Sequence, residues 1–154
     1  MNTIFDFEQP AYKRFRDIYK ERTRNVVVLV GSGLSKPAGL PDWKGLKDIL
    51  IDQAYVKAKS FDIADQDAYT KKVKAISTIA DYWVLFEELK EVMGEESYVA
   101  AIKHIFATAD TVKIPNCYNQ IWNLNIGGII TVNIDRLATR AFQETMKNSK
   151  RRIS

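Results

Sequence analysis

A chain of 154 residues that is 46% hydrophobic and 27% charged has apolar mass for one cored domain, and its composition excludes a disordered or fibrous protein. Its net charge of +4 gathers near the two ends, and a basic helix face of that kind is ordinarily solvated, so nucleic acid is not an expected partner. One cysteine, Cys117, excludes an intrachain disulfide and a cysteine-built zinc site, and no run is apolar for long enough to cross a bilayer or to read as a signal peptide; a cytoplasmic chain with neither metal nor membrane partner is expected.

Residues 8–24 read as an amphipathic helix, with Tyr12, Phe15, Ile18 and Tyr19 on one stripe. The run Val26-Val27-Val28-Leu29-Val30 that follows has the continuous β-branched character of a strand buried on both faces of a parallel sheet. A Gly/Ser/Pro loop spans Gly31–Gly39, and a helix carrying Leu46, Ile49 and Leu50 starts near Trp43. Residues 66–92 carry Val73, Ile76, Ile79, Ala80, Trp83, Phe86 and Leu89 at helical spacing, which predicts one long helix ended by Gly94.

A shorter helix is expected over 97–108, and another over Asn116–Leu124, entered through Pro115. Gly127-Gly128 turns the chain into Ile129-Ile130-Thr131-Val132-Asn133, a second buried-strand candidate, and Ile134–Met146 closes as a helix with Leu137, Ala138, Ala141 and Phe142 inward. Strands alternating with helices predict an α/β fold with a parallel, Rossmann-like sheet in one domain over 1–154, interrupted by a long helical insertion at about 46–125.

A glycine loop after a buried strand and before a helix suits a phosphate, because glycine lets backbone N–H groups approach it and a helix N-terminus favours negative charge. The generic templates fail: the third glycine of the dinucleotide fingerprint is missing, no Gly-Lys-Ser/Thr ends a P-loop, and Pro37 stands where the esterase elbow needs glycine. A plain strand-to-helix turn would account for the glycines alone.

The longer segment says more. Gly31-Ser32-Gly33-Leu34-Ser35, then Gly39-Leu40-Pro41-Asp42-Trp43-Lys44-Gly45, resembles the sirtuin signature Gly-Ala-Gly-x-Ser followed by Gly-Ile-Pro-Asp-Phe-Arg-Gly. Thr131-Val132-Asn133-Ile134-Asp135 resembles the same family's Thr-Gln-Asn-x-Asp, in the expected order, and Pro115–Asn119 is similar to the helix that leads into it. If the two strands are parallel neighbours, their carboxyl ends open on one sheet edge, where both blocks begin.

The resemblance implies NAD as ligand; the zinc-ribbon cysteines of deacylating sirtuins are absent here, so no metal is expected. Gly31, Ser32, Gly33 and Ser35 would hold the diphosphate, Pro41, Asp42 and Trp43 would belong to the loop over the nicotinamide, and Asn133 and Asp135 would contact the nicotinamide ribose and amide. Cleaving the nicotinamide–ribose bond passes through a cation-like ribosyl centre, so Asn133 would be the catalytic residue, orienting water or a ribose hydroxyl. Asn133 could instead cap the helix that starts at Ile134.

The family's general-base histidine follows the Asn/Asp block, and no histidine stands after Asp135 here; His104 matches no motif. The chain thus reads as the N-terminal part of a sirtuin-like domain, in the style of the NAD-hydrolysing modules of bacterial antiphage systems. Such a parent would release nicotinamide and ADP-ribose, working as a homo-oligomer or with a partner defence protein, while the 154 residues alone would be inactive. An NAD-dependent protein deacylase, and a nucleotide-sensing or assembly module without turnover, remain as alternatives.

Overall fold

The computed structural model of the chain describes residues 5–21, 26–124 and 126–151, with the side chains of 148–151 excepted. These residues form α1 (Pro10–Glu21), β1 (Val27–Val30), α2 (Trp43–Ala58), α3 (Ile63–Ser77), α4 (Tyr82–Met93), α5 (Glu95–Ile105), α6 (Asn116–Trp122), β2 (Gly128–Thr131) and α7 (Leu137–Arg151), with two short 3-10 turns at Ser32–Leu34 and Lys36–Ala38. The chain divides into two compact units, one of Met1–Gly31 with Ile114–Ser154 and one of Ser32–Lys113.

The unit Ser32–Lys113 is a helical cluster. Helix α2 packs on α3, α4 and α5, and Leu46, Leu50, Ile51, Ala54, Val73, Ile76, Leu85, Leu89, Met93 and Ala101 form one continuous core. Leu50, Leu85 and Leu89 are fully buried. Each burial contributes about 1.5–3 kcal/mol. Polar stitches join the same helices: Lys47 Nζ donates to the Ser77 carbonyl at 2.8 Å, and Lys57 Nζ donates to the Met93 carbonyl and, at 2.9 Å, to Ser97 Oγ. Gly94 joins α4 to α5 at φ 75°, ψ 143°, a conformation that a side chain strains.

One sequence expectation fails in this unit, and with it the place of Trp83 on the apolar stripe. The single helix over 66–92 is two helices, because Asp81 accepts from the N–H groups of Trp83 and Val84 and starts a new one. The break at Thr78–Asp81 resets the helical phase. Leu85, Leu89 and Met93 therefore turn inward at i, i+4, i+8, while Trp83 is 79% exposed.

In the other unit β1 and β2 pair in parallel, Val27 with Gly128 through Val30 with Thr131. The parallel pairing agrees with the sequence reading; the sheet around it does not. Among the described residues this two-stranded ribbon is the whole sheet, beside seven α-helices, so the expected Rossmann-like sheet with a helical insertion is overturned. The residues between the strands close a helical core of their own instead of adding strands. Burial on both faces fails with it: Leu29 is 70% exposed and its partner Ile130 58%.

Helix α7 buries Leu137, Ala138 and Ala141 as expected, and the Trp122 indole N–H donates to the Ala138 carbonyl at 3.1 Å, fastening α6 to α7. Phe142 stays partly exposed beside the Trp122 ring. The stripe expected to bury α1 contributes no buried residue. No helix among the described residues is long and apolar enough to cross a membrane.

Candidate functional site

The parallel register gives the site its one firm geometric basis. Val30 lies opposite Thr131, so Gly31 and Val132 leave the ribbon at the same end, and the two motif blocks begin there.

Gly31 and Gly33 are exposed, and neither has a positive φ. A Cβ built on either meets nothing within 4 Å among the described residues. Neither backbone conformation nor internal packing therefore demands glycine at these two places. Gly39, by contrast, needs its freedom: it ends the turn Lys36–Ala38 at φ 81°, its N–H donating to the Lys36 carbonyl. The loop folds as consecutive 3-10 turns, in which the Ser35 N–H donates to the Ser32 carbonyl at 3.0 Å. Ser32 is half-buried and Ser35 is fully buried, which encloses the hydroxyl that the sirtuin pattern assigns to diphosphate.

Pro41, Asp42 and Trp43 form the start of α2. Asp42 Oδ1 accepts from the Gly45 N–H at 2.8 Å, the N-cap bond that begins the helix, and its Oδ2 pairs with Lys36 Nζ at 2.9 Å. Pro41 sits against Gly45, where a Cβ would meet the Pro41 Cβ at 3.2 Å. Trp43 packs on the helical core with its ring centroid 5.9 Å from that of Phe86.

The Gly45 bond, with Lys36 second, holds the Asp42 carboxyl below its ordinary pKa. A lowered folded-state value means that the ionised form favours folding. That contribution is complete above the ordinary carboxylate value of about 3.9 and fades as pH falls through the lowered one. Asp42→Ala is expected to lower the thermal midpoint of the chain. Asp42→Asn, which keeps an acceptor, should lower it less and remove this part of its acid sensitivity; equal midpoints for all three chains at neutral pH would contradict the capping role.

The capping role that the sequence offers to Asn133 falls to Asp135. Asp135, buried at 9% exposure, accepts at Oδ1 from the Leu137 N–H at 3.0 Å and so starts α7. Asn133 does not cap that helix. Its backbone N–H donates to Thr131 Oγ1 at 3.1 Å, and its side-chain Nδ2 donates to the Tyr118 hydroxyl of α6 at 3.3 Å. Tyr118, fully buried, is the residue that sequence reasoning missed; an aromatic in the lead-in helix, ahead of the Asn/Asp block, was its only signal. His104 lies exposed in the last turn of α5, where a helix C-terminus favours a basic side chain. No family model matches this chain, and neither a curated protein nor a solved structure matches it.

Proposed function

We propose that this chain binds NAD through elements of the sirtuin type, and that the reaction they serve is hydrolysis of the nicotinamide–ribose bond, releasing nicotinamide and ADP-ribose. The observation that carries the reading is the pair Gly31 and Gly33. Both are exposed, have ordinary φ, and have open space where a Cβ would stand. Glycine at a place where neither the turn nor the packing of the described residues needs it suits a ligand pressed against the backbone, and a diphosphate is such a ligand. The shared end of β1 and β2 supports it further, since Gly31 and Val132 leave the ribbon at the same end.

In this reading the N–H groups of Gly31–Gly33 hold the diphosphate, with Ser32 and Ser35 in the same loop and Pro41, Asp42 and Trp43 beside the nicotinamide. Asn133 orients the ribose or the attacking water, and Asp135 accepts from the nicotinamide amide. Twisting the amide and orienting the ribose hydroxyls stabilise the cation-like ribosyl centre as the bond breaks. The general base is a histidine in the sirtuin pattern, and none stands after Asp135 in these 154 residues. The setting is a cytoplasmic defence system, with further copies of the chain or a partner protein as the trigger. Isothermal titration with NAD tests the binding half. Saturable binding competed by ADP-ribose is expected, and heats of dilution alone would sink the reading.

A further inference from the structure

Asn133 is assigned to the nicotinamide ribose, yet its half-buried side chain is engaged within the protein. Its Nδ2 donates to the hydroxyl of Tyr118, a residue with no exposed surface, and its Oδ1 is buried as well. The segment is held from a second point by the Asn133 backbone N–H on Thr131 Oγ1. An amide whose oxygen is buried and whose nitrogen is bonded to Tyr118 must rotate before that oxygen can meet a ligand at the end of the ribbon.

We propose that Tyr118 is a positioning residue for Asn133: its hydroxyl latches the amide in an inward rotamer, and NAD binds by releasing that latch. The inference rests on the NAD reading above. The physical basis is that any bond Asn133 makes to the ligand replaces one already made within the protein, so the bond to Tyr118 is set against binding. The packing of α6 on α7 keeps the tyrosine ring in place whichever way the amide turns, with Trp122 bonded to Ala138 on the same helix. The latch therefore opens by a side-chain rotation, without movement of either helix.

The test is Tyr118→Phe, which keeps the buried ring and removes only the hydroxyl. Calorimetric titration with NAD is expected to give a Kd about two- to tenfold lower than for the parent chain, the equivalent of one net hydrogen bond. The thermal midpoint should fall at the same time, because the unliganded state has lost that bond. A purely structural tyrosine would lower the midpoint and leave the affinity unchanged or weaker, and that result overturns the latch while leaving NAD binding intact. Binding by the variant alone supports the latch in its strongest form. If neither chain binds NAD, the site reading and the latch fall together. The side-chain amide signals of Asn133, identified by their loss in Asn133→Ala, should shift on NAD addition to the parent chain; unchanged signals at saturation would also overturn the latch.

Discussion

Leu50→Ala should destabilise the Ser32–Lys113 unit by about 2–5 kcal/mol, the range for emptying a fully buried leucine site. Leu50 has no exposed surface and lies in α2, the helix that touches α3, α4 and α5. The space it leaves is bordered by several helices, and none can collapse into it without disturbing the others, which favours the upper part of the range. Val56 of the same helix is 60% exposed, so Val56→Ala should stay within about 0.5 kcal/mol. Hydrogen exchange of α2–α5 amides in the whole chain separates the two, because it reads this unit without assuming that both units unfold together. Equal loss of protection in the two variants would mean that α2 does not carry the core.

Gly33→Ala should move stability and affinity in opposite directions. Gly33 has an ordinary φ and, among the described residues, nothing within 4 Å of its Cβ position, so the methyl group is accommodated and restricts the unfolded chain. A gain of about 0.4–1 kcal/mol in stability is expected from that restriction. The same methyl would stand between the backbone N–H groups and a diphosphate. Losing one charge-assisted hydrogen bond weakens binding by about 10- to 100-fold. A glycine retained only for the turn would show the reverse, a lower melting temperature and unaltered NAD affinity.

Much of the local structure was legible because it depends on neighbours in the chain. Asp42 before Trp43 and Pro115 before Asn116 mark helix starts that form where expected. The two β-branched runs pair in parallel, as expected. What failed depends on distant residues. A β-branched run does not reveal how many strands will flank it, so β1 and β2 suggested a large sheet where the described residues form a ribbon. Asp81 is the local exception: it could cap a helix or ride inside one, and it caps.

At the site, Asn133 and Asp135 can both hydrogen-bond to nearby backbone. Asp135 starts α7 at Leu137, while Asn133 donates to the hydroxyl of Tyr118 in α6. The ordinary φ of Gly31 and Gly33 was equally hidden, since the letters alone could not separate a glycine needed by a turn from one left open.

The central claim is that one ligand engages the end of β1 and the end of β2 together. Hydrogen–deuterium exchange of the chain with and without saturating NAD reads this directly, segment by segment. NAD is expected to slow exchange in both 31–35 and 132–135, and to leave the core helices α3–α5 unchanged. Slowing confined to the helices, or to neither segment at an NAD concentration that saturates the chain, would contradict it.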